Sequence, residues 1–311
     1  MGRHPAAGRR RRRGLLAAAL TLGLGAQAHA QDDGPRVYQL APTGAQLFTV
    51  FAVVKRGNEG PEPGEVTLGS ETDNNILVFR YARTFGLLGR QVTPFVILPT
   101  GQVKVTVDGS TEMSSGFGDA QIGGVVGLFG EPALSREAFA AFRPPFSMGL
   151  LGRIFFPTGA YSREAPVNLG ANRFSYQLGL PTTFMFGQSY ADPQLTALEV
   201  LPTVTFYGPN DEPFGADRKT QAPLFSLESH LTHNFNRRIW LSADVLYRNG
   251  GETRTDGVAN DDPVRGWSAG ASGALPLTRS TNLILTYQHV VERADSGPDG
   301  WFFRTALVVP F

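Results

Sequence analysis

The last eleven residues of the chain, 301–311, read WFFRTALVVPF. Phe303, Leu307, Val309 and Phe311 occupy one face of an extended strand, while Arg304 and Ala306 occupy the other, because successive side chains point to opposite sides. A strand with an apolar face and a polar face, ending on an aromatic residue, is typical of the last strand of a membrane β-barrel. We therefore expect these four apolar residues to form the signal that the barrel-assembly machinery recognises.

The same alternation recurs along the chain before this strand. In 238–248, Ile239, Leu241 and Val245 share one face and Asp244 and Arg248 share the other. Clusters of Gly, Pro, Asn and Asp separate such stretches. The pattern predicts twelve strands, near 45–56, 74–84, 90–100, 118–129, 146–157, 172–186, 196–207, 222–234, 238–248, 264–276, 281–292 and 301–311.

The links between these strands alternate in length. Those at 85–89, 234–237 and 277–280 are short, whereas those at 57–73, 101–117, 158–171, 208–221 and 249–263 are long, charged and rich in Gly or Pro. Short periplasmic turns and long outer loops are typical of outer-membrane barrels. We predict an all-β fold, a closed antiparallel transmembrane barrel of about twelve strands over 45–311, with both termini in the periplasm.

One link does not fit this alternation. Residues 130–145 should form a short turn but number about sixteen, and they include the helix-compatible run SREAFAAF at 135–142. The segment is either a small periplasmic helix or a sign that the strand count differs from twelve.

The N-terminus has the features of an export signal. Arg3 and Arg9–Arg13 precede an apolar stretch at 14–24 and the small residues Ala28-His29-Ala30, which predicts a signal peptide over 1–30. We expect 31–44 to be a periplasmic N-terminal segment. Removing 1–30 takes away six of the 28 Lys and Arg residues and none of the 27 Asp and Glu, so 22 against 27 leaves a net charge of −5. Nucleic-acid binding therefore loses its support.

Cysteine is absent, which excludes disulfides and thiolate metal sites. We expect no metal, no cofactor and no enzymatic activity. Tyr247, Trp267, Tyr287 and Trp301 fall near strand ends on the side of the long loops, where an aromatic belt would meet membrane lipid and lipopolysaccharide.

Charged and polar residues fall on the face opposite the apolar one, where a water-filled lumen would hold them. These candidate pore-lining residues are Arg80, Gln121, Arg153, Arg173, Glu199, Glu228, His230, Asp244, Arg248, Gln288 and Arg304, with Gln177 and Glu292 on the same face. Twelve strands enclose more space than eight and less than the wide porins, so the lumen should be narrow.

Two short motifs resemble those of a known family. Gly116-Phe117-Gly118-Asp119, and Phe156-Pro157-Thr158-Gly159-Ala160-Tyr161 followed by Leu169-Gly170-Ala171-Asn172, are similar to signatures of the outer-membrane transporter family named after the meta-cleavage pathway of phenol degradation. The resemblance implies an outer-membrane barrel, with some members beside genes for the breakdown of aromatic compounds. It implies no set of functional residues, and the motifs themselves suit loop geometry.

Three functions remain open. The first is passive diffusion of small solutes, aromatic or hydrophobic, through a narrow polar lumen. The second is a lipid hydrolase, for which His230 should lie opposite Ser242 with Asp244 diagonal to it, although a structural polar cluster is favoured. The third is a barrel whose acidic loops, 59–73 and 252–262, bind a surface or divalent cations.

Overall fold

The computed structural model describes residues 33–60, 64–278 and 280–311, and almost all of its regular structure is β. The elements are β1 (Gln46–Gly57), β2 (Ser70–Arg83), β3 (Phe85–Leu87), β4 (Arg90–Val107), β5 (Ser110–Phe117), β6 (Gln121–Phe129), α1 (Arg136–Ala141), β7 (Phe146–Phe155), β8 (Ser175–Gly179), β9 (Thr182–Phe186), β10 (Thr196–Tyr207), β11 (Lys219–Gln221), β12 (Leu224–Asn234), β13 (Trp240–Gly250), β14 (Thr253–Thr255), β15 (Val258–Ala259), β16 (Val264–Pro276), β17 (Asn282–Arg293) and β18 (Gly300–Pro310). Across these residues no helix has both the length and the apolar character needed to span a membrane.

The main sheet is antiparallel and closes on itself. β1 pairs with β18, placing Phe48 opposite Val309, and β10 pairs with β12 on the far side. Three positions in the barrel are each made of two strands in line, β2 with β3, β5 with β6 and β8 with β9. The fifteen strands of the main sheet therefore occupy twelve positions around the barrel, which we call walls. Closure gives every wall a hydrogen-bonded partner on both edges. A membrane-spanning sheet needs this because lipid offers no hydrogen-bond partners to the backbone. The predicted closed twelve-stranded barrel is confirmed.

A proline interrupts the wall formed by β8 and β9. Pro181 lies between the two strands and has no N–H to donate to the ladder. The wall stays connected because the N–H of Gly149 donates to the carbonyl of Pro181 at 2.9 Å. The predicted single strand at 172–186 is therefore two short ones in line.

The two faces of the wall differ as predicted. In β4, Val96 and Leu98 are 41% and 50% exposed, whereas their neighbours Phe95 and Ile97 are 2% and 7% exposed. The outer face is apolar, and the buried inner face carries most of the charge. A continuous apolar outer band of this kind is suited to lipid.

The links form two distinct ends. Turns 187–195, 235–239 and 277–281 lie at one end, the short-turn end, together with the start of β1 and the end of β18. The opposite, long-loop end carries links 58–69, 156–174, 208–223 and 251–263. At the short-turn end, α1 begins after Ser135, whose Oγ accepts from the N–H of Ala138 at 3.2 Å. The helical interpretation of 130–145 is thus confirmed, and the strand count is unaffected.

Most of the predicted loop at 101–117 is instead a regular hairpin. β4 continues to Val107 and pairs with β5 through the two-residue turn Asp108-Gly109, whose φ values are +49° and +80°. Two left-handed residues of this type, Asp-Gly, are the preferred hairpin turn. The alternation of Val103, Val105 and Val107 carries the strand beyond its predicted end.

A β-bulge corrects one inward assignment. The register between β16 and β17 shifts at Trp267/Ser268, so that Glu292 pairs with the outward-facing Trp267 and is exposed. One extra residue in a strand reverses the faces beyond it. Glu292 therefore does not face the lumen, contrary to the sequence prediction.

The outer surface near the long-loop end carries an aromatic group. The rings of Tyr247 and Trp267 are 4.6 Å apart, and those of Tyr287 and Trp301 are 6.3 Å apart. The predicted belt residues thus stand as two pairs on neighbouring walls. Such rings suit the boundary between lipid and water.

The terminal strand has the predicted faces. Phe303 and Leu307 lie outward and are exposed, while Arg304 and Ala306 are buried. Val309 is half-buried on the outward face, and Phe311 follows the strand with its N–H donating to the carbonyl of Gln46 at 3.1 Å. The chain end is therefore joined directly to β1.

Candidate functional site

The structure buries all eleven candidate pore-lining residues, but it does not bring them into one site. A central cavity contains Arg80, Gln121, Arg153, Glu228, Arg248 and Arg304. Glu199 and His230 lie by a smaller hollow, and Arg173 lies by another at the long-loop end. Asp244 and Gln288 are buried among other side chains. Their role in lining the pore stays a prediction.

The described part of the N-terminal segment lies inside the barrel. The N–H of Arg36 donates to Oε2 of Glu199 at 2.7 Å, and Nε2 of Gln39 donates to Oε1 of the same carboxylate at 3.0 Å. The N–H of Asp33 donates to Oε2 of Glu228 at 3.1 Å. Residues 33–39, which we call the plug, therefore lie in the lumen, within the stretch 31–44 that the sequence predicted to be a periplasmic N-terminal segment. Backbone groups without sheet partners are satisfied here by carboxylates of the wall.

The plug is also held through its side chains. Nη2 of Arg36 donates to Oγ1 of Thr232 at 3.1 Å, and its guanidinium lies 4.6 Å from the ring centroid of Trp240. Asp33 forms an ion pair with Arg153 at 2.7 Å between Oδ2 and Nη2. Tyr38 donates its hydroxyl to the same Asp33 oxygen at 2.9 Å. These contacts span several walls, so the plug has a defined position.

A second segment reaches into the lumen at the long-loop end. Glu59 follows β1, turns inward and is buried. Its Oε2 lies 2.9 Å from Nζ of Lys55 and 2.9 Å from Nη2 of Arg248. Oε1 also accepts from the N–H of Gly64 at 3.1 Å. We call residues 58–60 and 64–67 the cap.

The positive charges of Lys55 and Arg248 offset the free-energy cost of burying the Glu59 carboxylate. Burial alone would raise its pKa, but Arg248 and Lys55 outweigh burial and lower the pKa from 4.5 to about 2. Glu59 is thus ionised at neutral pH, and the cap is fixed to the wall by charge.

Further loops pack on the cap. Nε2 of Gln221 donates to the carbonyls of Gly64 and Gly251, both at 3.0 Å. Val66, Leu224 and Val264 form a buried apolar cluster beneath them. β11, β14 and β15 form a small separate sheet at the same end. The cap is therefore joined to the long loops 208–223 and 251–263.

The central cavity lies between the plug and the cap. Its wall combines apolar side chains with guanidinium groups. The apolar lining comprises Val37, Phe51, Val78, Ile97, Pro99, Phe155 and Leu224. A hollow with an apolar wall and a few polar groups is the usual form of a small-molecule site.

The predicted arrangement of His230, Ser242 and Asp244 is wrong in its register. His230 lies opposite Asp244, with Nδ1 at 2.8 Å from Oδ1, and Ser242 lies opposite Thr232. The turn before β13 is five residues long because Oδ1 of Asn236 accepts from the N–H of Ile239 at 3.0 Å, which shifts the pairing by two residues.

The corrected register bears on the hydrolase alternative. Oγ of Ser242 donates to Oδ1 of Asp244 at 2.5 Å, and Ser272 donates to the other carboxylate oxygen. In a catalytic triad the serine hydrogen-bonds to the imidazole instead. Within 33–60, 64–278 and 280–311, no group of three or more His, Asp or Glu residues is placed to hold a metal ion.

In the two acidic loops predicted to bind a surface or cations, 59–73 and 252–262, some of the carboxylates are buried. Glu59 is neutralised by Lys55 and Arg248 as described. Asp262 is buried, and its Oδ1 and Oδ2 accept from the N–H and hydroxyl of Thr253 at 2.7 and 2.6 Å. These two carboxylates stabilise the loops themselves.

Asp119 joins the two sequence motifs. Its Oδ1 accepts from the N–H of Gly159 at 2.8 Å and its Oδ2 from the N–H of Ala171 at 2.9 Å. A side chain at Gly159 would lie 2.6 Å from Cα of Gly170, so the two segments meet where only glycine fits. The motifs thus fix the geometry of loop 158–171, as the sequence indicated.

We expect Asp119→Ala to loosen this loop, because two charge-assisted hydrogen bonds are lost. Trypsin should then cut the folded protein after the exposed Arg163 about tenfold faster, which corresponds to roughly 1.4 kcal/mol of lost local stability. Glu112→Ala, an exposed carboxylate at the same end, is the control and should leave the rate unchanged. Equal rates in Asp119→Ala and the unmodified protein would show that Asp119 does not hold the loop.

Sequence reasoning missed Asp33, Arg36, Tyr38 and Glu59. Lys55 was also missed, although it follows Val53 on the inward face of β1 and therefore had a detectable signal in the alternation. The plug and the cap have no strand period, so no pattern along the chain shows which way their side chains point.

Comparison with solved structures supports the barrel. An outer membrane channel of the COG4313 type from Pseudomonas putida F1 matches with a TM-score of 0.76 and 20% identity, over 90% of this chain and 100% of that one. The β domain of the Bordetella autotransporter BrkA matches with a TM-score of 0.50 and 11% identity, over 86% of this chain and 100% of that one. No curated protein sequence matches the chain at a significant level. At these identities the likeness establishes the fold.

A family model described as "Putative MetA-pathway of phenol degradation" matches residues 56–301, which is most of the barrel. The matched range includes Asp119 and both motifs that resembled this family in the sequence. The chain belongs to this family.

Proposed function

We propose that the protein is an outer-membrane channel through which small molecules, including aromatic and other hydrophobic compounds, diffuse passively. The observation that carries the proposal is the central cavity, because apolar side chains and guanidinium groups line it together inside the barrel. The solved COG4313 structure with the same fold is an outer membrane channel, which supports the proposal.

The path has two gates. A solute entering from the long-loop end would meet a hollow lined by Tyr161, Arg173, Asn210, Phe214 and Lys219. It would then pass the cap, the central cavity and the plug in turn. The plug is outside the sheet, and its contacts are with side chains. It can therefore move without breaking the barrel wall.

Planar-bilayer recording of the purified, folded protein tests the proposal. We expect discrete current steps of small size, because the plug and the cap narrow the lumen. Bilayers that receive heat-unfolded protein are the control. Recordings with folded protein inserted and no current steps at any applied potential would contradict the proposal.

We propose no catalytic role for the lumen residues, since Ser242 is bonded to Asp244 instead of to His230. Lipid hydrolysis that is lost on Ser242→Ala would overturn this assignment.

A location in the outer membrane implies different surroundings for each part of the barrel. The long-loop end would face lipopolysaccharide, the apolar outer band would contact lipid, and the short-turn end would lie in the periplasm. The predicted signal peptide, 1–30, lies outside the described residues. Export by this signal to the outer membrane is part of the proposal.

Deleting Phe311 is expected to reduce insertion into the outer membrane strongly, because it removes the last residue of the proposed assembly signal with Phe303, Leu307 and Val309. The ring of Phe311 also stacks on Tyr81 at 6.2 Å, so its loss weakens the closing contact. Heat-modifiable migration of the membrane fraction on gels measures the folded barrel. Phe129→Ala, another exposed aromatic residue near the short-turn end, is the control. A normal amount of heat-modifiable barrel after the deletion would remove the assembly role from Phe311.

A further inference from the structure

Arg80 carries a buried charge with an unusual environment. The residue is 5% exposed and lines the central cavity. Its guanidinium lies 4.9 Å from the ring centroid of Phe95 and 5.9 Å from that of Tyr38. Among residues 33–60, 64–278 and 280–311, the Arg80 nitrogens form no hydrogen bond and no ion pair within 4.0 Å, although the Asp33 carboxylate is near enough to interact with the charge of Arg80. Burying a cation is costly, so a site of this kind favours an anion.

Arg153 stands beside the same ring. Its guanidinium is 5.4 Å from the Phe95 centroid, and its Nη2 contacts both carboxylate oxygens of Asp33, at 2.7 and 2.8 Å. Two guanidinium groups therefore share one aromatic ring, and the plug supplies one carboxylate to them. The carboxylate of Asp33 marks where an anion can lie in this lumen.

The cavity is also suited to an apolar body. Phe51, Val78, Ile97 and Phe155 line it together with the arginines. Inorganic phosphate would satisfy the guanidinium groups but leave this wall uncovered. A neutral aromatic molecule would cover the wall but offer no charge to Arg80 and Arg153. Only a molecule with a carboxylate and a flat apolar group matches both parts.

We propose that Arg80, Arg153 and Phe95 form a binding site for the carboxylate of small aromatic acids, and that the ligand competes there with Asp33 of the plug. The inference rests on the proposed channel function, because the site lies on the solute path. It goes further in naming the substrate class. A solute bound at this site would also weaken the Asp33–Arg153 contact and so favour movement of the plug.

Binding of benzoate to the full mature protein in detergent micelles, measured by isothermal titration calorimetry, tests the site. We expect benzoate to bind at least about tenfold more tightly than benzyl alcohol, its neutral counterpart, because only the anion pairs with the guanidinium groups. Arg80→Met should weaken benzoate binding by about tenfold or more. Arg83→Met, an exposed arginine on the same strand, should not change it.

The competing role of Asp33 gives a change of opposite sign. Asp33→Asn removes the resident carboxylate and should strengthen benzoate binding several-fold. If Arg80→Met does not fold, Arg80→Lys decides, since it keeps the charge, loses the bidentate geometry and should still bind more weakly.

The inference is overturned if benzoate binds no better than benzyl alcohol, if the Arg80 variants bind it as the unmodified protein does, or if Asp33→Asn weakens binding. Binding and current are separate measurements. Current steps without benzoate binding would overturn this site and leave the channel standing. Benzoate binding without current steps would contradict the channel and leave a binding site.

Discussion

Deleting residues 33–39 should raise the single-channel conductance several-fold. These residues lie in the lumen, and the barrel sheet is complete without them, because β1 begins at Gln46. Their removal frees Glu199, Glu228 and Arg153, which then face water in a wider channel. Water can solvate these groups, so the barrel should remain folded.

Single substitutions in the plug test the same prediction with smaller expected effects. Arg36→Met removes the contacts with Thr232 and Trp240 and should produce brief openings of larger current. Arg143→Met removes an arginine at the short-turn end, outside the lumen, and should behave as the unmodified protein does. A deletion variant that is folded by heat-modifiability but has unchanged conductance would show that the plug does not obstruct the lumen.

Replacing Glu59 by Gln is expected to lower the free energy of unfolding by about 3 kcal/mol, because Lys55 and Arg248 are left buried without their anion. Urea unfolding in detergent micelles at pH 7 measures this change. The variant should also open the cap, which predicts larger current steps. Glu112→Gln, an exposed carboxylate at the same end, is the control.

The pH dependence of stability gives an independent check on Glu59. Its pKa in the folded protein is lowered to about 2 from 4.5, so the unfolded chain binds the proton first as the pH falls. The stabilisation is complete above pH 4.5 and is lost as the pH falls from 4.5 towards 2. Glu59→Gln should flatten the curve in this window. Equal slopes for the variant and the unmodified protein would contradict the buried ion pairs.

Much of the barrel was predictable from the sequence because its walls obey a period of two. Alternation in Ile239–Arg248 and in the last strand reflects one face in lipid and one in a polar lumen, a contrast strong enough to read without a structure. Strand ends were less predictable. The hairpin through Asp108-Gly109 extends past the membrane, where water on both sides leaves little contrast.

Only the part of the site that lies on the strands could be predicted. The alternation of side chains placed Arg80 and Arg153 on the inward face. The contacts of Asp33 with Arg153 and Glu228 could not be predicted, because they join residues far apart in the chain through a segment without regular structure. Local geometry also limited the prediction. The turn at Asn236 shifted the partner of His230, and the bulge near Trp267 turned Glu292 outward. Both effects depend on single residues, which the alternation of apolar and polar positions cannot reveal.

The central claim is that the lumen conducts small solutes past the plug, and liposome swelling tests it most directly. Vesicles containing the folded protein should swell in small solutes such as glycine and arabinose, and swelling should be faster with the variant lacking residues 33–39. Vesicles with heat-unfolded protein should not swell. If neither the unmodified barrel nor the deletion variant admits any small solute while both are folded in the membrane, the protein is not a channel.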